Sequence, residues 1–317
     1  MLGIKPRVLV AALALITALF AAVGVAPAGA EGHDHSAASG CNWDANGDVF
    51  DSLDALTTTV AARGGDQLRE PDLGQIAREA PRRGAKPGTG TTIPTYVHVI
   101  TPDGVTGNVP DRKIREQITV LDLTFAGFHG GVATGFDFEL AGTTRTVNAA
   151  WFTAGPGTAA EHEMKQALRQ GGDNALNLYL TTAAGFLGWA YLPSILDTSQ
   201  AYLDGVVIDW ETLPKVSDTY EGRFDLGYTA THEVGHWLNL LHTFDGGCSP
   251  TGDHVDDTPA QNKPTSGCPE GKDTCRGQPG LDPIHNYMDY SDDPCYTEFT
   301  GGQATRMQDA WAFWRAA

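Results

Sequence analysis

The chain has 317 residues and a formal net charge of −18. That charge excludes a nucleic-acid partner, because neutralising phosphates requires a basic face. At 41% hydrophobic, with seven tryptophans, the chain can bury a core, which excludes a disordered protein.

Residues 1–30 read as a secretory signal. Lys5 and Arg7 form a positive start, Val8 to Val25 is apolar, and Ala28-Gly29-Ala30 is a small-residue cleavage site. The expected mature chain is secreted and extracellular, beginning near Glu31. A membrane anchor is the alternative, but the apolar run is short and no later segment is apolar enough to span, so no stable membrane association is expected. Ala38-Ser39-Gly40-Cys41 lies too far past the apolar run for a lipidation box.

Residues 31–90 read as a pro-segment ending in the Pro/Gly-rich basic linker PRRGAKPGTGTT, with Arg82, Arg83 and Lys86 as cleavage targets. An ordinary N-terminal subdomain is the competing reading. Gly32-His33-Asp34-His35 could chelate metal weakly. Asp44 to Asp48 begins like a calcium loop but lacks that loop's glycine and final glutamate.

Residues 91–317 form the expected main domain, of mixed α/β type. IPTYVHVITP alternates as a strand and closes at Pro102-Asp103-Gly104. Behind Pro110-Asp111, Ile114, Ile118, Leu121 and Phe125 fall at helical spacing. Strands are expected at FDFELAG, TVNAAWFT, NLYLTT and GVVID, with a helix over AAEHEMKQALRQ, and NLYLTT is the expected edge strand, open to pairing with another extended chain. After a helix at THEVGH the chain turns loop-rich and acidic until a last helix near TRMQDAWAFW.

In His232-Glu233-Val234-Gly235-His236 the two imidazoles lie four apart, so a helix projects them from one face, one turn apart. Two ligands of one zinc need that geometry, and Glu233 is placed to take a proton from water at the metal. A helix with two satisfied histidines is the plain alternative. His242 lies too far around to share the face, so the chain must turn back after the helix. Asn239 can make that turn, because asparagine readily adopts the left-handed conformation. His98, His129, His162 and His285 lie outside any ligand spacing and read as packing or surface residues.

Of five cysteines, Cys248, Cys268, Cys275 and Cys295 crowd into the last quarter. In an exported chain they suggest two disulfides, for which spacing alone leaves three pairings. A zinc ribbon would need paired C-x-x-C spacing, which is missing.

HEVGHWLNLLHTF, Gly246-Gly247-Cys248, GDHVDDTP and NYMDYSDDPC, in this order, resemble the pappalysin (cytophagalysin-like) family of secreted metzincin zinc proteases. The resemblance runs from about Ile93 to Trp314 and departs from the metzincin pattern at Asn239, where glycine is usual. It implies an α/β (α+β) fold with an upper twisted mixed sheet, two long helices, an irregular disulfide-bonded lower subdomain, and zinc in the cleft between. It further implies His232, His236 and His242 as zinc ligands, Glu233 as general base, Met288 as the apolar floor and Tyr290 as transition-state stabiliser. Disulfides Cys248–Cys275 and Cys268–Cys295 follow from the same resemblance. So does calcium in the loop at Asp253 and Thr258, ahead of Asp256 and Asp257, whose hard oxygen ligands suit that ion; the alternative is a solvated acidic turn.

The expected protein is a monomeric zinc endopeptidase made as a zymogen and acting on extended protein or peptide substrates. A non-catalytic zinc- or calcium-binding adhesin or scaffold is the rival, but a structural zinc is normally closed by a fourth protein ligand. Asp292 and Asp293, after the methionine turn, suggest a basic P1′ side chain. Cys41, unpaired in the pro-segment, is the first expected latency ligand, as a thiolate on zinc; a mixed disulfide with another molecule, an inert thiol, or latency imposed by Asp44 or Asp48 are the alternatives.

Overall fold

The computed structural model describes residues 70, 71, 73 and 90–316. The signal segment, Cys41, Asp44, Asp48 and the Arg82-Arg83 linker lie outside the described residues.

Five strands form one sheet: β1 (Thr91–Thr101), β2 (Phe136–Val147), β3 (Leu176–Thr181), β4 (Gly188–Ala190) and β5 (Val206–Asp209), in the order β2-β1-β3-β5-β4. All neighbours are parallel except β4, which runs antiparallel to β5. Parallel strands need crossovers that cover the sheet faces. Here α1 (Asp111–Phe125) joins β1 to β2, while the short α2 (Ala149–Phe152) and α3 (Ala159–Leu168) lie between β2 and β3.

Strand alternation sorts the core into two clusters. Leu178, Leu180, Val206 and Ile208 face one cluster with Ile114, Ile118, Leu121 and Phe125 of α1. Tyr179 and Val207 face the other, with Phe152 and Met164 from α2 and α3. Within the second cluster, the buried Glu161 carboxylate contacts Lys165 at 2.9 Å and accepts from Trp189 Nε1 and Tyr191 OH. Ionised groups survive burial only when paired and hydrogen-bonded in this way.

The structure corrects two expectations. The segment AAWF is helical rather than extended, because the Asn148 side chain accepts from the backbone N–H groups of Ala150 and Trp151 and caps a helical turn. NLYLTT, as β3, lies inside the sheet between β1 and β5. The strand at that end of the sheet is β4, and the apolar run of β3 reflects burial on both faces.

Below the sheet runs α4 (Tyr228–Trp237), all ten of whose residues are buried. Its start is tied to α1 by Gln117 Nε2 donating to Gly227 O at 2.9 Å, and its length by the Thr124–Thr231 hydroxyl pair at 3.0 Å. Its end is held by the chain's tail. After α5 (Gly301–Ala310), Arg315 pairs with Asp204 at 2.8 Å, donates to Trp237 O and stacks 3.5 Å over the Trp237 ring. Between α4 and α5 regular structure is scarce. Disulfides Cys248–Cys275 and Cys268–Cys295 cross-link that region, each with Cα atoms 5.5 Å apart.

Candidate active site

The α4 helix ends in a turn that depends on one residue. Asn239 has φ +78°, its N–H donates to His236 O at 2.8 Å, and Leu240 N donates to Gly235 O at 2.9 Å. This paired bonding is a Schellman motif, which satisfies the last helical carbonyls and reverses the chain. The reversal carries His242 back beside the helix. His236 Nε2 then lies 3.1 Å from both His232 Nε2 and His242 Nε2.

Those distances match a metal centre. Imidazole nitrogens about 2.0–2.1 Å from one tetrahedral zinc stand about 3.3 Å from each other. The opposite ring nitrogens are all engaged: His232 Nδ1 donates to Tyr287 O at 2.5 Å, His236 Nδ1 donates to Leu240 O at 2.8 Å, and His242 Nδ1 faces Asp245 Oδ2 at 3.4 Å. Holding the proton on Nδ1 leaves the Nε2 lone pair for a metal. Three convergent Nε2 atoms therefore fit zinc by donor chemistry as well as by spacing.

Glu233 is 1% exposed, and its Oε2 has no hydrogen-bond partner among the described residues. Burial pushes its carboxyl above the usual carboxylate range, and the charge of Glu70 adds to the push. The space it occupies is made by a glycine on β4: a Cβ at Gly188 would lie 2.7 Å from Glu233 Oε1 and 2.8 Å from Val207 O. Gly235, between the two helical histidines, is required for a different reason. A Cβ there would lie 2.4 Å from Met288 Sδ, so the buried Met288 packs directly on the helix backbone.

Met288 is delivered by a turn built around Asn286. Asn286 Oδ1 accepts from Met288 N at 3.0 Å, and its amide exchanges two hydrogen bonds with Gln303 of α5. Tyr290 follows, half-buried, with its ring centroid 4.9 Å from that of His242 and 5.8 Å from that of His232. Beside His232 and Glu233 a pocket is lined by Leu187, Phe224, Tyr228, Asp293 and Tyr296. Asp292 is engaged elsewhere, accepting from Arg223 at 3.1 and 3.2 Å.

The residues expected for calcium are dispersed in role. Asp253 is 2% exposed, and its Oδ1 accepts from Thr258 Oγ1 at 2.6 Å and Val255 N at 3.1 Å, while its buried Oδ2 has no hydrogen-bond partner among the described residues. Burial raises the Asp253 carboxyl to about 6. Asp256 is exposed, and Asp257 accepts from Thr300 Oγ1 and Gly302 N at the start of α5. The four histidines expected to be packing or surface residues have partners of their own. His98 lies between Thr144 and Asn177, His129 meets Tyr228, His162 meets Tyr202, and His285 donates to Cys295 O. Cys268, His285 and Cys295 cluster, but their two sulfurs form a disulfide and offer no thiolate.

Glu70 was not anticipated from sequence. Its carboxylate reaches all three histidines, contacting His232 Nε2 through Oε1 and lying 3.2 Å from His236 Nε2 and His242 Nε2 through Oε2. No local pattern marks it, since it sits in a segment without apolar periodicity. In the sequence Gly235 is only a spacer of the histidine motif and Gly188 carries no local signal; their need for a missing side chain is visible only in three dimensions.

A peptidase family described as pregnancy-associated plasma protein-A matches residues 181–312. An extracellular metalloprotease of Pyricularia oryzae is 49% identical over 229 residues, 71% of this chain and 76% of the relative. Mature mirolysin of Tannerella forsythia in complex with a cleaved peptide is similar in structure, with 31% identity, a TM-score of 0.60, and coverage of 70% of this chain and 92% of its own. A promirolysin mutant from the same organism covers 83% of this chain and 88% of its own, at 25% identity and a TM-score of 0.61.

Proposed function

The chain belongs to the pappalysin family of metalloproteases, and from that premise we propose that it is a zinc endopeptidase, made as a secreted zymogen, that hydrolyses peptide bonds of extended protein substrates. The observation that carries the reading is the convergence of three Nε2 atoms, with that of His236 3.1 Å from the other two, beside a buried carboxylate oxygen of Glu233 that has no hydrogen-bond partner among the described residues.

His232, His236 and His242 would hold zinc, which would supply Lewis acidity toward a water and the substrate carbonyl. The chain's own residues do the rest. Glu233, with its raised proton affinity, takes a proton from the attacking water and returns it to the leaving nitrogen. Tyr290, beside His232 and His242, donates its hydroxyl to the oxygen on which charge develops. The short antiparallel β4 fits the role first expected of NLYLTT, offering backbone groups to an extended substrate.

The pocket beside Glu233 fits the P1′ side chain. Its aromatic walls enclose Asp293, whose Oδ2 accepts from Leu226 N at 2.8 Å, and the adjacent Asp292 pairs with Arg223; the acidic character of this pair supports a basic P1′ group. Calcium at Asp253 and Thr258 is the reading favoured for the loop after Gly252, supported by the buried Asp253 Oδ2, which has no hydrogen-bond partner among the described residues. Secretion is supported by the N-terminal signal pattern and by relatives named extracellular. The zymogen reading is supported by the larger share of this chain that promirolysin covers.

The direct experiment incubates purified, trimmed enzyme with a peptide library, with and without a zinc chelator, and maps the cuts. Cleavage that the chelator abolishes and zinc restores, before basic residues, is the expected result. Cleavage indifferent to the chelator would contradict the metal reading, and no cleavage with full zinc occupancy would favour the scaffold.

A further inference from the structure

We propose that Glu70 is the latency ligand of this chain: a carboxylate from the pro-segment that occupies the fourth position on the metal and is lost when the segment is cut. The proposal rests on the zinc-site reading above and deepens it.

Glu70 is placed as a fourth ligand would be. Its two oxygens contact the Nε2 atoms of all three histidines, the same atoms that converge on the metal position. Its side chain is only 10% exposed although it comes from a segment remote in sequence. A carboxylate here closes the site that three histidines leave open to water, turning an open coordination into the closed kind found in structural sites. It also lies against the pocket beside Glu233, so the position that a substrate carbonyl must reach is filled.

Two neighbours support the placement. Pro71 restricts the residue before it to extended backbone, the form suited to threading a cleft. Leu73 packs against the second core cluster, formed with Phe186 and Trp189 around β4. The segment is thus anchored by apolar contact a few residues from its ligand.

Glu70 explains how a modest ligand can block and still be released. A carboxylate binds zinc less tightly than a thiolate, so its occupancy depends on tethering. Through an intact chain its effective concentration is roughly millimolar. Cleavage anywhere between Leu73 and β1, including the Arg82-Arg83 run, turns it into one peptide free in solution, and that advantage disappears. The first expected switch, Cys41, lies outside the described residues, and Glu70 takes the role assigned to it.

The test uses the full chain with Glu233→Ala to prevent self-processing and cobalt in place of zinc, comparing Glu70→Ala, Glu70→Gln and Cys41→Ser. The readouts are the visible cobalt spectrum and the affinity for acetohydroxamate, with a thermal melt to establish folding. Both Glu70 variants should change the visible band and bind acetohydroxamate at least about tenfold more tightly, as expected when a tethered competitor is removed. Cys41→Ser should change neither. Glu70→Gln keeps the side-chain shape, so the test stands even where alanine perturbs folding. An unchanged band and affinity in folded Glu70→Gln would overturn the proposal, as would loss of a thiolate-to-cobalt charge-transfer band in Cys41→Ser. Neither result touches the protease reading, which the trimmed enzyme tests separately; a trimmed chain that gives no cobalt band at all would overturn both.

Discussion

Residues 91–237 and residues 239–300 meet at the same three histidines but are held by different forces. The first region buries Leu178, Leu180, Val206 and Ile208 from one sheet face against α1 and α4, so its order comes from apolar burial and ladder bonds. The second has little regular structure. It is fixed by two disulfides, by Asn286 and Asp289 bonding to backbone and amide groups, and by Met288 against Gly235. His232 and His236 belong to the stiff region, while His242 and Tyr290 belong to the cross-linked one. The metal position is therefore a joint, and each side can be disturbed while the other is left intact.

The largest effects should come from removing what each side uses. Leu180→Ala, at 0% exposure, should cost about 2–5 kcal/mol by cavity formation, equally with and without reductant. Cys275→Ser should cost about 2–4 kcal/mol by freeing the unfolded chain, and reductant should reproduce that loss in the parent but add nothing further from this bridge in the variant. Denaturant melts under both conditions check the contrast. Equal sensitivity of Leu180→Ala and Cys275→Ser to reductant would erase it.

Gly235→Ala addresses the contact between the two sides. A Cβ 2.4 Å from Met288 Sδ forces the floor away from the histidines, at about 1–3 kcal/mol. Zinc affinity should fall with stability, and Gly235→Ala combined with Met288→Ala should recover part of both. A melt and a competitive zinc titration measure this. No recovery in the double variant would mean that the sulfur is not the obstacle.

The two sides should also answer pH in opposite senses. Burial holds the His98 imidazole below its usual 6.5, so the unfolded chain binds the proton more readily. The upper region should lose stability as pH falls below about 6.5. Burial raises Asp253 from 3.8 to about 6, so the folded state binds the proton more readily there. Without calcium, the lower region should lose stability as pH rises through that interval. Calcium competing for the ionised carboxylate should raise the melting midpoint more at about pH 8 than at about pH 5. His98→Gln should flatten the acid limb only, and Asp253→Asn should abolish the calcium response only.

The smallest effect concerns the turn. Asn239 at φ +78° is already suited to its conformation, so Asn239→Gly should change stability by only a few tenths of a kcal/mol, whereas Asn239→Val should lose about 1–2 kcal/mol. Melts of both variants check it, and similar losses in the two would deny the left-handed requirement.

Legibility in the sequence follows the same division. The upper elements announce themselves by period: Ile114 to Phe125 at helical spacing and the alternation of β1 are read directly. The readings fail where a local bond or a global position overrides pattern. Asn148 caps a turn inside an alternating run, and β3 is apolar because it is central rather than at the edge. In the lower region the pattern carries almost nothing. Cysteine spacing leaves three pairings open, and only resemblance to known chains selects the pair of bridges the structure contains. Glu70 is least legible of all, since its meaning lies in a contact across more than 160 residues with His232.

The most direct test of the central claim is metal content and peptide turnover measured together on trimmed Glu233→Ala and His242→Ala. Glu233→Ala should hold one zinc per chain and lose activity by about 10²- to 10⁴-fold, because the proton acceptor is gone and the ligands remain. His242→Ala should lose tight zinc binding and activity together. Full turnover in Glu233→Ala, or stoichiometric tight zinc in His242→Ala, would contradict the account.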